Sequence, residues 1–179
     1  VLRVNRILCN ILATALEFGT VATGANAGEV IQVVSTTKTS VFTTASTSFV
    51  DVTGLSVSIT PSSASNKILI IASLGFVSNI DYGFGRLMRD STAICIGDLS
   101  QANQTRSSFG NAYATGGAWL HSNHQNFLDS PSTTSAITYK IQVLSGGGGT
   151  IFVNRTTDDT NNSSHGTTAS TITVMEIKG

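Results

Sequence analysis

Between Ala136 and Leu144 the chain reads AITYKIQVL, with Ile137, Tyr139, Ile141 and Val143 at every second place. Leu55, Val57 and Ile59 repeat the pattern, with Ser56, Ser58 and Thr60 between them. Side chains alternate faces along a strand, so each stretch can bury one face and leave the other to water. A helix of period 3.6 would scatter the same residues around its circumference. This alternation constrains the chain to antiparallel sheets with a one-sided core.

From Gly28 onward the remaining segments agree. Glu29–Ser35 reads as a strand, and Thr47–Val52 leads to a turn signal at Thr53-Gly54. Pro61 and the polar stretch Ser62–Asn66 end the Leu55–Ile59 strand. Lys67–Val77 (KILIIASLGFV) is almost wholly apolar and predicts a central strand covered on both faces. Phe84–Arg89 and Ala93–Gly97 predict a hairpin about Asp90-Ser91-Thr92. Gln101–Ser107 reads as polar loop. Ser108–Ala114, Ala118–Ser122 and Gln125–Asp129 are weaker strand candidates, and Ser130-Pro131-Ser132 is a turn. Gly146–Gly149 predicts a hairpin turn returning Thr150–Asn154 antiparallel to Ala136–Leu144. Asp158–Gly166 is loop and Thr168–Ile177 the last strand. About ten short strands divided by turns, with no helix after Gly28, predict an all-β antiparallel sandwich, a jelly roll. The expected division is an arm over residues 1–27 and a β-sandwich domain over 28–179.

Composition bears on what such a sandwich can touch. Ten Lys+Arg balance ten Asp+Glu, and charged residues make up only 11% of 179. That is not the clustered basic surface that nucleic acid requires. Neutrality instead favours association.

The first residues are ambiguous on sequence. Two arginines, an apolar stretch and Ala25-Asn26-Ala27 imitate a secretory signal, but Asn10 and Glu17 interrupt the apolar run. The run is too short to span a membrane. Val4, Leu8, Ile11, Ala15 and Phe18 would share one side of a helix; an extended arm is the alternative. Either form needs a partner surface. Cys9 and Cys95 are the two cysteines, and their placement reads as two free thiols rather than a bridge.

Candidate chemistry is sparse, and no cofactor or metal site is expected. His121 and His124 are three apart, which on a strand puts them on opposite faces; His165 is remote. No nucleophile elbow is present. Asp81, Asp90, Asp98, Asp129 and the pair Asp158-Asp159 sit where turns are predicted and read as turn caps. Gly146–Gly149 precedes a strand, not the helix that a phosphate loop needs. Arg86, Arg89, Arg106 and Arg155 are scarce charges in β regions. For Arg86 an internal pair with Asp90 or Asp98 competes with a contact between subunits. With Leu8, Ile11 and Phe18 of the arm these arginines form the candidate interface set. Tyr82, Tyr113, Trp119 and His121 lie near loops and could meet a glycan or receptor, against core packing as the ordinary explanation.

Five phrases carry a resemblance: VIQVVSTTKT, TSFVDVTGLSVSITPSSASNKILI, RLMRDSTAI, NFLDSPSTTSAITYKIQV and STITVMEIKG. In this order they resemble a recurring module of tailed-bacteriophage structural proteins, described as tail fibre or virion protein. The similarity covers Gly28 to Gly179, and LRVNRI resembles the start of such fibre proteins. The resemblance implies an all-β, trimeric, non-enzymatic virion module without catalytic residues. The arm would attach it to the particle, and its partners would be sister copies, other virion proteins and a host glycan or receptor. Loops Asn79–Gly83, Gln101–Ser107 and Thr156–His165 are the expected outward surface. A capsid decoration or cement protein is the alternative. A secreted carbohydrate-binding domain, which would require removal of the signal-like start, is the further one.

Overall fold

The computed structural model describes residues 27–79, 82–110 and 119–179. Leu8, Cys9, Ile11, Phe18, Asp81 and Tyr113 lie outside them. Among the described residues there are ten strands and no helix. They are β1 (Val30–Lys38), β2 (Phe42–Thr44), β3 (Val50–Ile59), β4 (Lys67–Ser78), β5 (Gly83–Arg89), β6 (Thr92–Ile94), β7 (His121–Asp129), β8 (Ile137–Ser145), β9 (Ile151–Val153) and β10 (Ser170–Ile177).

They form two packed antiparallel sheets, a jelly-roll-like sandwich as the alternation predicts. One sheet runs β3-β8-β5-β6; the other runs β1-β10-β4-β9-β2, with β7 also on β4. β4 is the spine of the larger sheet. β7 pairs along one edge from Ile68 to Phe76, so β10 and then β9 must share the other edge in line. The core lies between the sheets, and the alternating residues fill it. Ile137, Tyr139, Ile141 and Val143, beside Val57 and Ile59 of the same sheet, pack against Ile68, Ile70, Leu74, Ile172 and Val174 of the other, all buried. One flank is closed by side chains: Thr36 Oγ1 donates to Ser56 O at 2.8 Å and Gln32 Nε2 to Thr60 O at 2.8 Å. These bonds tie β1 to β3 across the layers and cover an edge that would otherwise be open.

Several sequence expectations change in detail. Thr53-Gly54 does not end a strand; β3 continues through a register shift with Gly54 at φ 81°, a bulge that only glycine takes cheaply. Lys67–Val77 is central but not covered throughout. Its first half alternates, with Ile71 41% exposed, and only Leu74–Ser78 is buried on both sides. Of the described residues of the candidate Ala118–Ser122, only His121 and Ser122 are in a strand, and they join Gln125–Asp129 in β7. The Gly146–Gly149 turn is real, closed by Gly149 N–H on Gly146 O at 3.1 Å. It is not a hairpin: β9 leaves β8 and pairs with β4 and β2 in the other sheet. The glycines at 147 and 148, with φ 62° and 79°, turn the chain out of one layer and into the other. The hairpin at Asp90-Ser91 is present, with Arg89 opposite Thr92.

Three buried polar clusters hold the layers in register. Asp129 accepts from Tyr139 Oη at 2.7 Å and from Arg89 Nη1 at 2.8 Å, joining the end of β7 to β8 and β5. Asp129 is therefore not a turn cap but a buried acceptor between the sheets. Glu176, wholly buried, accepts from Ser62 N–H and Oγ at 2.7 Å and from Asn66 and Gln32 side-chain amides at 2.5 Å. It clamps the Pro61–Asn66 corner, where the chain crosses from β3 to β4. Asn154, also fully buried, donates to Lys38 O at 2.8 Å and accepts from Ser170 Oγ at 2.6 Å. It fills the gap where β9 gives way to β10 beside β4. Asn154-Arg155-Thr156 matches the N-x-T pattern of a glycan acceptor, but the buried Asn154 is inaccessible to a glycan.

Candidate interaction face

Alternation leaves two outer faces, and they differ in kind. On the β3-β8-β5-β6 sheet, register places Asp51, Gln142 and Arg86 in one row. Arg86 Nε donates to Gln142 Oε1 at 2.8 Å, and Gln142 Nε2 to Asp51 Oδ1 at 2.6 Å. Lys140 Nζ reaches Asp51 Oδ2 at 2.8 Å. The Arg86 guanidinium lies 4.0 Å from the Phe49 ring centroid, a cation–π contact. Partial burial pushes the Asp51 carboxyl up, but the donors Lys140 and Gln142 and the nearby charges outweigh it, so its pKa is lowered. Arg86 is engaged internally, with these partners rather than Asp90 or Asp98. This face satisfies itself.

The outer face of the larger sheet does not. Pairing aligns Val33 with Met175, Met175 with Leu69, and Leu69 with Leu128. That is an unbroken apolar row across β1, β10, β4 and β7. Ile71 extends it on one side, in a row otherwise made of Ser35, Thr173 and Asn126, and Ile177, between β1's Ile31 and Lys67, extends it on the other. Val33 is 54% exposed and Leu128 48%. Farther along, Thr37, Thr171, Ser73 and His124 form a polar row. The apolar stripe therefore occupies the end of the sheet where β1 starts. Nearest neighbours on each strand look unremarkable in sequence; four strands must be laid side by side before the row exists. No single-strand periodicity could have found it.

The remaining candidates are dispersed. Arg89 is spent on Asp129. Arg106 Nε donates to Gly97 O at 2.6 Å and its Nη2 lies 3.5 Å from the exposed Asp98. Arg155 stacks 4.5 Å from the Phe152 centroid, with Nη1 3.1 Å from Asp159 Oδ2 but poorly angled for a hydrogen bond. His121 and His124 are on opposite sides of β7 and do not converge. His165 Nδ1 sits 2.9 Å from Thr160 Oγ1, inside the Thr156–His165 loop. That loop folds on itself, with Thr160 N–H on Asp158 Oδ1 at 3.0 Å, the turn cap expected of Asp158. Gln101–Ser107 is pinned by Gln104 Oε1, which accepts from Ser100 and Gln101.

Tyr82 and Trp119 share one end of the sandwich. Tyr82 packs on Gly146, where any Cβ would overlap its ring, and tilts against Phe84 at 5.4 Å. Trp119, 61% exposed, immediately precedes β7, whose His121 pairs with Phe76 near the end of β4. Cys95 is a free thiol whose partial burial pushes its pKa up.

No protein-family model matches the chain, and no curated protein matches it in sequence. Among solved structures it is similar to that of infectious bursal disease virus strain Gx, at 15% identity and TM-score 0.40 over 88% of this chain and 44% of the other. It is also similar to a mutant VP2 protein of infectious bursal disease virus in T=1 particles, at 16% identity and TM-score 0.41 over 87% of this chain and 38% of the other. The chain spans less than half the length of either.

Proposed function

We propose that this chain is a non-enzymatic structural protein of a virus particle, a fibre-like packing module attached through its N-terminal arm. The observation that carries this reading is how the side chains are used. Three carboxylates, Asp129, Glu176 and Asp51, are bound into contacts that hold strands and corners together. Apolar side chains, by contrast, are left on an outer sheet face. Such a molecule is equipped to pack rather than to turn over a substrate.

The phage-like phrases support it from another side. VIQVVSTTKT spans β1, RLMRDSTAI the β5–β6 hairpin, NFLDSPSTTSAITYKIQV the β7–β8 corner and STITVMEIKG β10. The quoted phrases thus lie on the scaffold, and Gln101–Ser107 and Thr156–His165 fall between them. Those loops, with Tyr82 and Trp119, are the proposed outward surface toward a host glycan or receptor, and a homotrimer is the proposed assembly.

The test is to locate and count the protein in purified particles, with and without Val1–Ala27. A few copies on a tail support the fibre form. A lattice-like number on heads would convert it to a decoration protein. Absence from particles, or normal incorporation of the truncated chain, would overturn the corresponding part.

A further inference from the structure

We infer that, in the free subunit, the apolar outer face of the larger sheet is covered by the chain's own N-terminal segment, Val1–Asn26. The inference concerns the state before assembly and does not depend on the particle.

The size of the face selects the kind of occupant. Four strands at about 4.8 Å spacing and three rows at about 6.8 Å bound roughly 300 Å² including side-chain margins, and Lys67, Ser35, Thr173 and Asn126 take part of that area, so the apolar patch is smaller still. A stable interface between folded proteins buries about 800 Å² on each partner. The stripe is too small for a second copy of the sandwich laid face to face, but it suits one peptide segment of the same chain.

The segment has the matching chemistry. Val4, Leu8, Ile11, Ala15 and Phe18 fall at three- and four-residue steps, which gather on one side of a helix. Such a row is about 21 Å long at 1.5 Å per residue, enough to cross the four strands. Gly19–Asn26, without a charge, leaves a tether that can span up to about 26 Å.

The point of entry fixes which copy is favoured. Gly28, in a turn at φ 86°, donates its N–H to Lys178 O at 2.8 Å, and Lys178 N–H returns to Glu29 O at 2.9 Å. The chain therefore joins the sheet beside Ile31 and Ile177, at the apolar end of the stripe, and it turns there rather than running straight off the strand. A tether this short holds the segment at an effective concentration on the order of millimolar. At micromolar protein, the segment's own face outcompetes a neighbour's.

Cys9, between Leu8 and Asn10, supplies the probe. In full-length protein with Cys95→Ser, a second cysteine is placed at Ile71→Cys or Val33→Cys on the stripe, or at Ser58→Cys on the opposite outer face. Mild oxidation should give an intramolecular disulfide with the first two, at a yield independent of protein concentration and at least several-fold above the Ser58→Cys control. Equal yields at all three sites would overturn the proposal. So would bridges that form only between molecules, which would place the segment on a second copy. As an independent readout, removing Val1–Asn26 should raise binding of a hydrophobic dye, and Leu69→Ser with Ile71→Ser in the truncated chain should reverse the rise. No rise on truncation would also overturn it.

Discussion

Tyr139 Oη donates a 2.7 Å hydrogen bond to Asp129 Oδ2 across the interior of the sandwich. The two residues are ten apart in sequence but belong to different sheets. Burial first, and then the neighbouring carboxylate, push the Tyr139 pKa far up, so the phenol stays a donor. Arg89 meets the same carboxylate from β5, so one acceptor holds three strands. Tyr139→Phe should cost about 1–2 kcal/mol, and Asp129→Ala, which leaves a buried hydroxyl and a half-buried guanidinium unmatched, about 3 kcal/mol or more. Urea unfolding of the single and double variants checks this. Strictly additive losses would mean the bond contributes nothing.

Glu176 should make the fold acid-sensitive in a defined window. Burial alone would raise its pKa, but donors from Asn66, Gln32 and Ser62 outweigh it and hold it at about 2, below the ordinary 4.5. Folding therefore favours the ionised form. The stability this contributes is complete above about pH 4.5 and is lost as pH falls toward 2. Glu176→Gln should be less stable at neutral pH by about 2 kcal/mol, because an amide N–H₂ then faces donors. It should also lose part of the acid slope in that window. Melting temperatures from pH 7 to pH 2 decide it, and an unchanged slope would reject the assignment.

Gly75 accepts from Asn154 N–H at 2.9 Å and donates to Ser170 Oγ at 3.0 Å, where β9 hands over to β10. A Cβ there would overlap the Thr168 methyl. Gly75→Ala should cost about 1–3 kcal/mol by overpacking. Thr168→Ser, which removes the methyl, should restore much of it; failure of that rescue would point to a different cause.

The ion pairs lie mostly at the surface. Lys140–Asp51 has side-chain exposures of 25% and 50%, and Asp98 of the Arg106 pair is fully exposed. Such pairs contribute little and are screened by salt. Unfolding free energy should change by less than about 1 kcal/mol between low salt and molar sodium chloride at neutral pH, after allowance for the general salting-out contribution. A large loss in salt would show that surface charges hold the fold.

The alternation at Leu55–Ile59 and Ile137–Val143 announced which side chains enter the core, because face is a local property of period two. Turn positions at Pro61, Asp90-Ser91 and Gly146–Gly149 were legible for the same reason: their chemistry sits in neighbouring residues. Sequence could not say that β9 deserts β8 for β4, that Asp129 lies beneath Tyr139 and Arg89, or that Val33, Met175, Leu69 and Leu128 align. Each of these depends on which strands become neighbours and in what register. That choice is made by non-local pairing and packing of the whole core, and only the tertiary structure records it.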